Sequence, residues 1–203
     1  MIEALVIDMD GTLLQLPIDY PRLKQRLREY LRTEVDFNPL FKTVASLTSA
    51  NPEAFRRSLQ IIDDEELLAV EKLRVFDHAR QVLEALRTKD YPLCLMTLQG
   101  RRPAQESLRR AGLTEFFSAI VTREDSIDRH EQIKMCVEIL RKKPPTVLVV
   151  GDRLNDVLSA NRLGCKAVLI RQDTFTELGE DIISIKSLAD LSVAFRYFDN
   201  RDL

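Results

Sequence analysis

The segment Ala4–Leu14, ALVIDMDGTLL, constrains the chain more than any other. Ala4 to Ile7 is a short apolar run without period-two alternation, so it reads as a strand buried on both faces, as in a parallel sheet covered by helices. The run ends in two carboxylates, Asp8 and Asp10, followed by Gly11 and Thr12. Open parallel sheets bind ligands at the carboxyl ends of their strands, so both acids fall where a site forms. Gly11 lets the backbone turn and present N–H groups to an anion. Four specified residues behind an apolar strand arise by chance in about one chain in ten thousand at ordinary composition.

Similar apolar runs recur at Leu93–Met96, Ala119–Val121 and Val147–Val150, each ending in a turn, an acid or a hydroxyl, with further strands expected at Lys166–Ile170 and Ile183–Ile185. Amphipathic helices separate them. Ala79, Val82, Leu83 and Leu86 follow the i, i+3, i+4, i+7 spacing, as do Ile133, Cys136, Val137 and Leu140. Asp77 is the expected N-cap of the first of these helices, and Gly112 and Gly164 stand where helices should stop. Alternating strand and helix predicts an α/β fold with a doubly wound parallel sheet. Residues 15–75 break the alternation: Leu23, Leu27, Tyr30 and Leu31 mark one helix, and further helices open near Pro39, Pro52 and Asp64. The expected organisation is a core of residues 1–14 and 76–203 with an inserted helical cap at 15–75. Arg22, Lys24, Arg26 and Arg28 read as a solvated face of that insertion.

Composition narrows the partners. A net charge of −2 in 203 residues gives no basic footprint for nucleic acid or anionic lipid, so a small partner is expected. With acids at positions 3, 8 and 10, the N-terminal stretch is neither a signal peptide nor a membrane span. Cys94, Cys136 and Cys165 sit in apolar surroundings without metal-ligand spacing, and their odd number argues against a disulfide framework. A cytoplasmic address follows as the expectation.

In order and spacing, the motifs resemble the haloacid dehalogenase-like superfamily over nearly the whole chain. Its first motif, an apolar strand and DxDGT, is matched by Val6 to Thr12; its second, a strand ending in Ser or Thr, by Leu93–Thr97; its fourth, GDxxxD, by Gly151–Asp156 in VVGDRLND. The place of the insertion matches a helical cap common in that superfamily. The resemblance implies a magnesium-dependent phosphatase of small phosphorylated metabolites. Asp8 would be the nucleophile that forms an aspartyl-phosphate. Asp10 would protonate the leaving oxygen and then deprotonate the attacking water. Mg²⁺ would be held by Asp8, the Asp10 main-chain carbonyl and Asp152, with Asp156 in support, and Thr97 would donate to the phosphate. A hard cation with oxygen ligands suits a reaction in which an anion attacks an anionic ester.

Two positions depart from the superfamily pattern. Leu98 replaces the usual Asn after Thr97, leaving a backbone N–H for substrate but no polar side chain. The Lys of the third motif has two candidates. Arg129 lies at the edge where the strand ending at Val121 delivers the chain, whereas Lys134 is five residues on, about 7.5 Å further along a helix running away. Geometry favours Arg129, whose guanidinium stays charged and grips phosphate oxygens in pairs. His78, His130, Arg101 and Arg102 read as exposed. The acid at position 10 points to phosphate esters, because a carbon–halogen bond needs no protonated leaving oxygen. A sugar phosphomutase and a catalytically weak binding protein are the alternatives, the latter supported by Leu98 and Arg129.

Overall fold

The computed structural model describes residues 1–171 and 182–199. From the N-terminus, β1 (Ala4–Asp8) turns into β2 (Leu14–Gln15), followed by α1 (Tyr20–Leu31), α2 (Leu40–Leu47) and α3 (Pro52–Val70). The strand β3 (Arg74–Val75) then pairs antiparallel with β2. Strand and helix alternate through α4 (Ala79–Thr88), β4 (Leu93–Met96), α5 (Arg101–Ala111), β5 (Ala119–Val121), α6 (Arg129–Leu140), β6 (Val147–Gly151), α7 (Leu154–Leu163) and β7 (Lys166–Ile170). The short β8 (Ser184–Ile185) and α8 (Leu191–Asp199) complete the described chain.

Six strands form one sheet in the order β5-β4-β1-β6-β7-β8, and every pairing is parallel. Leu5 and Ile7 of β1 face a core built with Leu83 and Leu86 of α4, Leu108 of α5 and Phe195 of α8. Ala4 and Val6 face the other way, onto Ile133 and Val137 of α6 and Val157 of α7. Burial on both faces explains the unbroken apolar runs, and each such aliphatic side chain contributes roughly 1.5–3 kcal/mol. The chain winds from β1 to β4 and β5 on one side, then returns to β6 on the other. β1 is therefore the switch point, and the crevice opens at the carboxyl ends of β1, β4 and β6.

The expected helix stops at Gly112 and Gly164 are in place, both in the left-handed conformation. Two expected starts are corrected. Helix α4 begins one residue later than a cap at Asp77 requires: the Ala79 N–H donates to the Phe76 carbonyl, closing a turn that makes His78 the cap residue. No helix opens at Asp64, because α3 runs unbroken from its Asn51 cap, and the Asp64 carboxylate instead pairs with Arg26 at 3.3 Å. The basic row on α1 is also more than a solvated face. Arg22 and Arg26 both reach Glu65, at 3.2 and 2.7 Å, while Lys24 and Arg28 pair with Asp36. Among the described residues no helix is long and apolar enough to cross a membrane.

Helices α1–α3 share a separate apolar cluster of Leu23, Leu27, Phe37, Val44, Ile61 and Ile62, with Ile18 packed against both this cluster and the sheet core. A buried ion network ties α3 to the sheet edge. Arg123, just past β5, donates to the Glu66 carboxylate at 2.6 Å, to the Leu98 carbonyl at 3.0 Å and to Asp63, while the Gly100 N–H donates to Glu66 at 3.0 Å. The Arg123 side chain is fully buried and its guanidinium lies over the Phe41 ring. Losing one partner of such a network leaves the other charged and dry, which typically costs about 3–5 kcal/mol. Arg123→Leu is expected to lower unfolding stability in urea by about 3 kcal/mol, with much of the loss recovered in Arg123→Leu/Glu66→Leu. An unchanged midpoint in the single variant would refute the network's role.

Candidate active site

β1 ends at Asp8, so the strand delivers this carboxylate, buried, to the carboxyl edge. The turn that follows is wound tightly: the Gly11 N–H donates to the Leu14 carbonyl at 2.8 Å, with Gly11 at φ +85°. That conformation favours glycine, and a second constraint acts there, because a side chain on Gly11 would collide with the Asp152 carboxylate. Gly151 makes the same allowance for Asp156. Two glycines thus open the space into which the acids beyond β6 lean. The Asp10 carboxylate accepts from the Leu16 N–H at 2.8 Å, which fixes its direction.

Asp156 lies in the first turn of α7, where its carboxylate accepts from the Arg153 N–H at 3.2 Å and so caps the helix. Oxygens of Asp8, Asp152 and Asp156 lie within 4.8 Å of one another. One oxygen each of Asp152 and Asp156 is buried without a hydrogen-bond partner among the described residues. Such a cluster is electrostatically expensive. Burial pushes the Asp8 carboxyl well above its ordinary range, and Asp156 and Asp152 push it further while Arg129 pulls it down. Burial likewise raises Asp152, Asp156 and Asp10.

Arg129 is the cation at the centre of this cluster. The helix α6 starts at Arg129, its cap Asp128 accepting from the His130 and Glu131 N–H groups, so the side chain is launched from the sheet edge. It donates to Asp8 at 3.1 Å, to the Gln132 side chain at 2.9 Å, and stands 2.8 Å from Asp156 in an ion pair not aligned as a hydrogen bond. Gln132 is itself held, donating to the carbonyls of Thr97 and Ser126. Lys134 is not brought to the site. Half exposed on the outer face of α6, it pairs loosely with Glu131 at 3.8 Å.

Thr97 is buried at the end of β4, its hydroxyl oxygen accepting from the Gln99 N–H at 3.1 Å, so its own proton stays available. Asp8, Asp10, Thr97, Leu98 and Arg129 line one cavity of about 50 Å³, which Ile18, Tyr20, Leu23, Leu40, Phe41 and Ile62 of the inserted helices and their connections also line. Gln99, Glu66 and Arg153 also line it, and sequence reasoning missed all three together with Tyr20. Arg153 had a signal, since it stands inside GDxxxD. Glu66 had none, because its partner Arg123 lies 57 residues away. The other residues singled out from sequence stay outside: Arg101 binds Asp125 at 2.6 Å, and the half-buried His130 ring faces the Ser159 carbonyl at 3.2 Å. Cys94, Cys136 and Cys165 are buried and form no disulfide. A hydrogen bond with Cys94 and burial raise the Cys136 thiol far above reactivity.

Comparison with known proteins gives this arrangement its context. A phosphoglycolate phosphatase from Chromobacterium violaceum is 27% identical, over 94% of this chain and 95% of that protein. Pyrophosphatase PpaX from Bacillus mycoides is 25% identical over 49% of the chain, and the match spans only 48% of its own length. The crystal structure of a HAD phosphatase from Thermococcus onnurineus covers both chains fully, with a TM-score of 0.67 at 22% identity, a likeness of fold. A family model described as haloacid dehalogenase-like hydrolase matches residues 22–170, and the chain belongs to that family.

Proposed function

We propose that the protein is a magnesium-dependent phosphatase of small phosphate monoesters that works through an aspartyl-phosphate on Asp8. The observation that carries this reading is the guanidinium of Arg129 set between Asp8 and Asp156 in a cavity that Asp10 and Thr97 also line. Phosphatase names among relatives of low identity agree with it. Residues 15–75 are read as a cap closing that cavity from above, since Ile18, Tyr20, Leu23, Leu40 and Phe41 line it. Buried thiols and a net charge of −2 fit a cytoplasmic enzyme with a small soluble substrate.

The donor set fits Mg²⁺: three carboxylates converge, one oxygen each of Asp152 and Asp156 accepts no hydrogen bond among the described residues, and a hard cation prefers oxygen ligands. Asp8, Asp152 and Asp156 would hold it, and it would supply positive charge that offsets the crowded acids and polarises the phosphoryl group. The chain's own residues do the rest. Asp8 attacks phosphorus with its free oxygen while Arg129 balances the charge moving onto the transferred group. Thr97 donates its hydroxyl to a phosphoryl oxygen. Asp10, its carboxyl raised by burial, gives its proton to the departing alcohol and then takes one from the water that attacks the aspartyl-phosphate. The products are the alcohol and inorganic phosphate, with Asp8 regenerated.

Three outcomes are expected. Arg129→Ala should lose on the order of a hundredfold or more in kcat, and Lys134→Ala should stay near wild type. Normal turnover in Arg129→Ala with a large loss in Lys134→Ala would overturn the assignment. Mg²⁺ at a hundred times its Kd should raise stability by about 2.7 kcal/mol, and Asp152→Asn should shrink that shift. A midpoint indifferent to Mg²⁺ would remove the metal from the account.

The third outcome concerns pH. A carboxyl raised in the native state holds its proton more tightly when folded, so its contribution is present in acid and lost as pH rises through the native pKa. Metal-free Asp8→Asn should therefore melt higher than wild type at neutral pH. That gap should close as pH falls through the raised native value of Asp8 towards the ordinary carboxylate range. A gap that widens in acid would contradict the stated sign.

A further inference from the structure

Gln99 presents an anomaly that the reaction above does not use. Its side chain is about 95% buried, it lines the cavity beside Thr97 and Leu98, and neither its carbonyl oxygen nor its amide nitrogen has a hydrogen-bond partner among the described residues. Its backbone is fully engaged: its N–H donates to the Thr97 hydroxyl oxygen and its carbonyl accepts from the Arg123 N–H. A buried carboxamide with both ends unpaired costs stability unless something completes it. Glu66, whose oxygens take Arg123 and the Gly100 N–H, makes no hydrogen bond to it.

We infer that Gln99 is a specificity-determining residue that reads hydroxyl groups on the alcohol part of the substrate; this rests on the phosphatase reading above. The amide offers a donor and an acceptor side by side, and a hydroxyl group both donates and accepts. A carboxylate only accepts, and would leave the Gln99 carbonyl buried against a negative charge. The argument holds whichever way round the amide is placed, because both of its atoms are unpaired. Leu23, Leu40, Phe41 and Ile62 give the cavity an apolar lining against which a carbon skeleton packs, and a space of about 50 Å³ admits only a small alcohol part. A small polyol or sugar phosphate meets these conditions better than phosphoglycolate.

The test measures kcat/KM with Mg²⁺ for glycerol 1-phosphate, n-propyl phosphate and phosphoglycolate, in wild type and in Gln99→Met, which keeps side-chain length and removes both polar atoms. Wild type should prefer glycerol 1-phosphate over the other two, and the ratio of glycerol to propyl ester should fall by about tenfold or more in the variant. The thermal midpoint of ligand-free Gln99→Met should not drop below wild type, whereas a residue needed only for folding would lower it and leave the ratio unmoved. An unchanged ratio, or a wild-type preference for phosphoglycolate, overturns the inference while leaving the phosphatase reading intact. Failure of wild type to hydrolyse any ester, p-nitrophenyl phosphate included, sinks both.

Discussion

The site depends on the buried guanidinium of Arg129, held among carboxylates that would otherwise repel, with Arg153 adding a second positive charge at their edge. Asp8, Asp152 and Asp156 arrive at the same few ångströms from two adjacent parallel strands, and burial makes each of them costly to ionise. Arg129 offsets part of that cost and is itself fixed by Gln132, which is anchored to the carbonyls after β4 and before α6. Cluster, cation and anchor come from four segments of the chain that only the sheet order brings together. The same crowding leaves room for a cation that the protein does not supply from its own side chains. A site strained in this way stores instability where chemistry is expected, as functional sites commonly do.

The second constraint is the attachment of helices α1–α3. Most of their apolar burial is in a cluster of their own, and they join the sheet core only near Ile18 and at the end of α3, through Ala69 and Val70. Arg123 and Glu66 add a directional tie, and it reaches the loop carrying Leu98, Gln99 and Gly100. Through that loop the helical unit and the end of β4 are positioned together. A buried ion pair is weak as a source of net stability but strong as a specifier of geometry once both partners are present.

Much of this was legible in the sequence because its cause is local. Strands buried on both faces announce themselves as apolar runs, and Asp8, Asp10, Asp152 and Asp156 stand at fixed distances from the ends of such runs. The preference for Arg129 over Lys134 needed only the rise of a helix and the position of the preceding strand, and the structure brings Arg129 alone to Asp8. Most of what escaped has a non-local cause. The cap at Asp77 is the local exception, displaced by one residue by a turn at Phe76, whereas the expected break at Asp64 failed because α3 continues through it and its carboxylate pairs with Arg26 on another helix. Glu66 and Gln99 gave no periodic or motif signal, since a buried acid in a helix and a polar residue after a strand look ordinary until their neighbours are known.

The central claim is that a covalent bond forms between the substrate's phosphorus and Asp8. Its most direct measurement is to quench the enzyme with acid during turnover of an excess of ester, reduce it with borohydride, and sequence the peptides by mass spectrometry. An acyl phosphate on Asp8 is reduced to the corresponding alcohol, so homoserine should appear at position 8 only in samples given both Mg²⁺ and substrate. Turnover under the same conditions with Asp8 unmodified, or with the reduced residue elsewhere in the chain, would contradict the account.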